Sequence, residues 1–121
     1  IFKDAPNGSL AINTLLWRPS SVVVNPADNS IYVADTLRDV VRRILPDGSM
    51  QIVAGTSDAL STANGHGGPA LSAKLKWPRG LALDTQGNLY IADSLNHVVR
   101  KVTPEGTIFN VAGLFGDEGY N

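Results

Sequence analysis

Residues 31–55, IYVADTLRDVVRRILPDGSMQIVAG, and residues 89–113, LYIADSLNHVVRKVTPEGTIFNVAG, are two versions of one sequence. They align at a constant offset of 58 without a gap, and 12 of the 25 positions are identical. Eight more are close exchanges, such as Asp47 with Glu105 and Arg43 with Lys101. The match continues upstream with one residue of slippage, setting Pro19–Val24 (PSSVVV) against Pro78–Leu83 (PRGLAL). A repeat of this length fixes the organisation first, because each unit must bury its apolar face against the next.

Each unit reads as four short strands. In the first they run Ser21–Val24, Ser30–Ala34, Asp39–Ile44 and Ser49–Val53. In the second they run Gly80–Leu83, Asn88–Ala92, His97–Val102 and Thr107–Val111. Turn signals separate them: Asp84-Thr85-Gln86-Gly87, Asp93-Ser94-Leu95-Asn96 and Pro104-Glu105-Gly106. Gly48 and Gly106 follow Pro46-Asp47 and Pro104-Glu105, where a hairpin turn needs positive φ. The strands are rich in β-branched and aromatic residues. Between the units, Pro69 opens a stretch suited to one helical turn, and the glycines Gly65 to Gly68 read as turn residues. Four-stranded units in tandem are the signature of propeller blades. The fold class is therefore all-β, a β-propeller of two four-stranded antiparallel blades within a ring of about six. The first strand of each unit, VVV or LAL, lacks polar alternation and is expected innermost. Val22, Val23, Val24, Leu81, Ala82 and Leu83 are expected among the most buried residues, beside Tyr32, Val33, Tyr90 and Ile91. The expected boundaries are the end of a linker at 1–15, a blade at 16–56, a Gly/Ser/Ala-rich linker at 57–74, a second blade at 75–113 and the start of another linker at 114–121.

Composition narrows the function. The chain is 43% hydrophobic and 17% charged, with a net charge of −1. Nucleic acid is not expected as a partner, since a duplex binder carries a basic stripe. No apolar run has the length of a membrane span. There are no cysteines, which removes disulfides, thiolate metal sites and a cysteine nucleophile.

Pro78-Arg79-Gly80-Leu81-Ala82-Leu83-Asp84, Gly87-Asn88-Leu89-Tyr90-Ile91-Ala92-Asp93 and Asn96-His97-Val98-Val99-Arg100-Lys101-Val102 resemble the NHL repeat, whose naming triplet falls at Asn96-His97-Val98. Gly65-His66-Gly67-Gly68-Pro69-Ala70 resembles the Gly-Asp-Gly-Gly-Pro-Ala linker of a long-repeat subset, with His66 in place of Asp. The first unit is more divergent, with Arg38-Asp39-Val40 at the triplet. The resemblance implies a propeller; it leaves the partner open, because such propellers host protein, RNA and sugar binding and, occasionally, lyase or hydrolase chemistry.

Each candidate residue has two readings. Asp35 and Asp93 end the second strand and are either a metal-lining carboxylate pair or turn residues accepting backbone N–H bonds; their recurrence favours the turn. Arg42 and Arg100 recur in the third strand, as a basic ring on a ligand face or as partners of a neighbouring acidic residue, the favoured account. Trp17 and Trp77 precede the first strands, placed to stack on a sugar or peptide at the propeller face; burial between blades is favoured. His97 is a further ligand-face candidate, read more plainly as an outward strand residue beside Asn96. Asn7-Gly8-Ser9 is a glycosylation sequon.

No catalytic constellation, metal-ligand set or cofactor motif is visible, so a non-enzymatic scaffold binding a protein or glycan is expected. The alternatives are part of an enzyme propeller of the metal-dependent lyase or lactonase type, with its catalytic residues in other blades, and an extracellular adhesion or fibre module. The sequon tilts the expected location towards the outside of the cell. Two blades do not close a propeller. Further blades are expected from a longer chain or from head-to-tail copies, with apolar faces and strand edges otherwise left open.

Overall fold

The structure is a computed structural model and describes residues 7–56 and 64–116. It contains two four-stranded antiparallel sheets, each with its strands in sequence order. Blade 1 comprises β1 (Pro19–Val24), β2 (Ile31–Asp35), β3 (Val40–Ile44) and β4 (Met50–Ala54). Blade 2 comprises β5 (Pro78–Leu83), β6 (Leu89–Asp93), β7 (Val98–Val102) and β8 (Ile108–Ala112). A short 3₁₀ turn joins the second strand to the third in each blade, Thr36–Arg38 and Ser94–Asn96. Another occupies Ala70–Ser72, with Pro69 at its N-cap.

The one-residue slippage lies in the turn between the first two strands. Asn25 to Ser30 closes with Asn29 at φ +62°, whereas Asp84 to Asn88 closes one residue sooner with Gly87 at φ +85°. In the last hairpins Gly48 and Gly106 sit at φ +88° and +89°. Nothing lies within 4 Å of a Cβ placed on Gly106, so backbone conformation alone selects glycine there.

The blades stack face to face. Val41 and Ala54 of blade 1 meet Leu89, Ile91, Val102 and Ile108 of blade 2, and Ala70, Ala73 and Leu75 of the connecting segment close the same cluster. Pairing across β5, β6 and β7 puts Leu81 and Leu83 on the Ile91–Leu89 face, where they pack half-buried against it. Polar bonds fix the stacking at the first strands. Ser21 Oγ accepts the Leu81 N–H at 3.2 Å, and Thr36 Oγ1 donates to the Pro78 carbonyl at 2.8 Å.

Two expectations are corrected. The first strands are not the most buried: Val22 and Val24 are 60% and 57% exposed, Ala82 is exposed, and Val23, Leu81 and Leu83 are half-buried. Val22 and Val24 share a face with Val33 and Ile31, turned away from blade 2. The burial expected of them passes to Val33 and Ile91, whereas Tyr32 and Tyr90 are half-buried. The outer strand edges, in turn, are not left bare, because the segment preceding each blade bonds to them. Gly8 N–H donates to Met50 O and Met50 N–H to Ser9 O beside β4; Gly67 N–H donates to Ile108 O and Ile108 N–H to Gly68 O beside β8. Such cover removes the unpaired row through which an edge recruits another strand.

Ile91→Ala should cost about 2–5 kcal/mol in urea unfolding of the chain, the range for emptying a packed aliphatic site. Val22→Ala should stay within about 1 kcal/mol, as a half-exposed strand position does. Gly106→Val should lower stability by about 1–2 kcal/mol through its forced left-handed backbone alone, measured in the same titration.

Candidate functional site

Asp35 and Asp93 terminate β2 and β6 with no side-chain exposure, and the fold closes around them. Asp93 Oδ2 accepts from Arg100 Nε at 2.9 Å and from Asn96 Nδ2 at 2.9 Å, while Oδ1 accepts the Lys76 N–H at 2.7 Å. Blade 1 repeats the arrangement: Asp35 Oδ2 accepts from Arg42 Nε at 3.0 Å, and Oδ1 accepts the Trp17 N–H at 2.6 Å. The backbone bonds of the carboxylates thus run backward, to the segment before the first strand, while the turn that follows contributes side chains, Asn96 Nδ2 to Asp93 and Arg38 Nε at 3.7 Å from Asp35. Arg100 Nη1 goes on to donate to Asn64 O, Asn64 Oδ1 and Asn110 Oδ1, and its guanidinium lies 5.0 Å from the Phe115 ring centroid. One buried arginine therefore ties together a strand end, the connecting segment and the outer strand.

This corrects the ligand-face reading of Arg42 and Arg100. They are 1% and 0% exposed and cannot meet a ligand at the surface; their partners are the acidic residues of the neighbouring strand. They are not surface ion pairs either. Burying two charges is favourable only when every remaining donor and acceptor is satisfied, as the Arg100 network achieves. Asn96, first residue of the triplet, was not singled out from the sequence. It is buried and bridges Asp93 to the Lys74 carbonyl. The signal was available in its spacing, three residues after the recurring Asp.

The tryptophans also move. Trp17 is 51% and Trp77 38% exposed, so neither is buried between blades. Nor are they equivalent. Trp17 corresponds to Lys76, since both donate their backbone N–H to the Asp that recurs at the end of the second strand, and Trp77 corresponds to Arg18. The upstream offset of 59, set by Pro19 and Pro78, already implies this pairing. Arg18 and Trp77 have φ of +69° and +55° directly before those prolines, a backbone state that bulky residues hold only when their surroundings impose it. His97 lies outside β7, at φ +63° on the exposed cap of the Ser94–Asn96 turn.

Trp17, Arg18, Leu37, Trp77, Arg79, Leu95 and His97 share one end of the two sheets. Leu37 N–H donates to Trp17 O, Leu95 N–H to Lys76 O, and Trp77 N–H to Asp39 Oδ1. A cavity of about 210 Å³ between the blades is lined there by Arg18, Ser20, Thr36, Leu37, Trp77 and Arg79. The opposite end carries Asp28, Asp47, Asp84 and Glu105 in its turns. Asp84 accepts from Gln86 N–H, Asn88 N–H, Asn88 Nδ2 and Tyr90 Oη. The Asn88 side chain, with its backbone N–H and these neighbours, holds the Asp84 carboxyl below its ordinary pKa. Desolvation and the Asp84 carboxylate raise that of Tyr90. Ser30 and Ser49 likewise lower Asp28 and Asp47.

Asn7 is exposed, and its Oδ1 accepts the Ile52 N–H at 2.9 Å. His66 Nδ1 accepts the Asn110 N–H at 2.8 Å at the matching place in blade 2. The two residues clasp their segments to the outer strands, which gives the asparagine of the sequon a structural task on its oxygen. Among the described residues no three His, Asp or Glu side chains gather as metal ligands, and no helix is long and apolar enough to cross a membrane.

A family model described as NHL repeat matches residues 75–102. NHL repeat-containing protein 2 of Gallus gallus is 39% identical over 93 residues, covering 73% of this chain and 12% of that protein. Teneurin-m of Drosophila melanogaster is 29% identical over 106 residues, covering 86% of this chain and 4% of that protein. The chain therefore spans a small part of the length of these relatives. Among solved structures, a Bacteroides thetaiotaomicron protein of unknown function superposes with a TM-score of 0.72 at 25% identity, over 91% of this chain and 28% of that one. Streptogramin B lyase superposes with a TM-score of 0.56 at 14% identity, over 80% of this chain and 28% of its own, a likeness of fold alone.

Arg100→Met should destabilise the chain by about 3–5 kcal/mol in urea unfolding, because it strands the buried Asp93 carboxylate. Asp84 contributes stability above the ordinary aspartate pKa, and loses it as pH falls through the lowered folded value. The stability difference between wild type and Asp84→Asn should accordingly be largest near neutrality and vanish in strong acid, measured by denaturant titration across pH.

Proposed function

Because the chain belongs to the NHL-repeat β-propeller family, we propose that it serves as a non-catalytic interaction scaffold whose protein-binding surface is the Trp77 end of the blades. The observation that carries this reading is the exposure of Trp17, Trp77 and Leu95 on backbone held rigid by buried bonds. Aromatic side chains on a pre-ordered frame supply contact area at small entropic cost, and they are enriched where proteins meet. Among the described residues the opposite end exposes no tryptophan, and Asp28, Asp47 and Asp84 there bond into their own turns. His97, on the exposed cap at the Trp77 end, belongs to the proposed surface, while Arg42 and Arg100 act beneath it as supports. The sequon at Asn7 fits a location outside the cell, since the residue is exposed and its structural bond is accepted by Oδ1, not made by the amide nitrogen that would carry a glycan.

A photo-crosslinking amino acid at Leu95 in the intact protein, expressed in its native source, should yield discrete protein adducts that disappear when Trp17 and Trp77 are both changed to Ala. The same probe at Thr85, on the opposite end, should yield none. Equal labelling from both positions, or adducts indifferent to the tryptophans, would reject this surface.

A further inference from the structure

We infer that the cleft between Arg18 and Arg79 is a carboxylate-binding site, and that the partner it accepts is an acidic segment of a protein. The inference rests on the scaffold reading above and names the chemistry of its partner. It begins from charge left over. Asp35 and Asp93 are consumed by Arg42, Arg100 and the Trp17 and Lys76 amides. Asp39 accepts the Trp77 N–H at 3.0 Å and stands 3.6 Å from Lys74 Nζ. Arg18 and Arg79 are both exposed, and among the described residues no carboxylate lies within ion-pair distance of either guanidinium.

The cleft walls leave the arginines as its donors. Thr36 Oγ1 donates to Pro78 O at 2.8 Å, Ser20 Oγ donates to Arg79 O at 3.0 Å, and the two hydroxyl oxygens lie 2.6 Å apart. Two hydroxyl protons already serve three contacts, so neither is spare for a ligand. A guanidinium offers paired N–H groups that match a carboxylate, the geometry in which Arg outperforms other cations. Trp77 and Leu37 form the apolar part of the wall, suited to the methylene stem of a glutamate. About 210 Å³ admits one such side chain, not a folded element.

Location argues for a peptide over a nucleic acid. A nucleic-acid strand needs a track of cations to replace its counterions, and here the exposed cations among the described residues are Arg18, Arg79 and neighbouring Lys76. The far end, with ionised Asp28, Asp47 and Asp84, would repel a long polyanion while orienting an acidic partner towards Trp77.

In a Trp17→Phe background the fluorescence of Trp77 reports on the cleft. Titration with tetraglutamate capped at both ends should give a saturable change that weakens as salt is added. The capped tetraglutamine peptide, and maltose as a neutral sugar, should give none. The Arg18→Met, Arg79→Met double variant should weaken tetraglutamate binding at least tenfold, and Lys101→Met should leave it unchanged. Thermal melting of each variant establishes folding, and the single arginine variants replace the double if it melts early. A response to tetraglutamine or maltose equal to that of tetraglutamate, no saturable response, or indifference to the arginines would overturn the inference. Tryptophan-dependent adducts at Leu95 with no tetraglutamate binding would reject the acidic partner alone; no adducts at Leu95 in the protein with both tryptophans intact would reject the scaffold surface itself.

Discussion

Everything at the Trp77 end of the blades hangs on one buried interaction made twice, the carboxylate that closes the second strand with the arginine beside it in the third. A charge in that position is costly unless all its lone pairs are used. Asp93 meets the requirement with Arg100, Asn96 and the Lys76 amide. The last of these bonds is the one that shapes the surface. By holding the amide of the residue two before the proline, the carboxylate draws the incoming chain across the end of the sheet. The next residue must then reverse direction within one peptide before Pro78, and it does so at positive φ. Its side chain is thrown outward, which is how Trp77 in one blade and Arg18 in the other come to line a cleft. The exposed groups are placed by the buried ones.

How much of this was legible differs by residue. The repeat, the four strands and the glycine turns were readable because they are local: periodicity, β-branching and positive φ leave marks within a few residues. The recurrence of Asp35 with Asp93 and of Arg42 with Arg100 was equally visible, and a pairing between neighbouring strands was the favoured account. What the sequence did not reveal was depth. Arginine in a strand is ordinarily a surface residue, and Arg100 is covered by groups from outside its strand, Asn64, Lys74 and Phe115. The tryptophans were misread for a different reason. Both precede the first strand of a unit, yet they lie 60 apart where the offset at Pro19 and Pro78 is 59, so two chemically similar residues stand at unlike positions.

The first strands illustrate burial as a property of neighbours. Val22 and Val24 match Leu81 and Leu83 in position, and all four are apolar. The leucines are half-buried because blade 1 lies against them, whereas no described element lies against the valines to the same extent. An innermost place in the sheet order does not bury a side chain; a stacked blade does. Stability in such an array is close to a sum over units and their contacts, so identical strand sequences contribute unequally according to what faces them.

The distribution of carboxylates sets the division of labour between the ends. Asp28, Asp47 and Asp84 each bond to residues two to four positions onward, stabilising turns that need no partner from outside. Asp35 and Asp93 bond to arginines and to distant backbone. These five aspartates are thus either bonded within their turns or buried, and the exposed cations Arg18 and Arg79 stand where the exposed tryptophans are. In the proposed site Arg18, Arg79 and Trp77 are available to a partner not because these positions escaped folding constraints but because the same constraints engage Asp35, Asp39 and Asp93, the described acids around them. A surface built this way holds its charged side chains on a frame tied by buried bonds, Asp35 with Arg42 and Asp93 with Arg100.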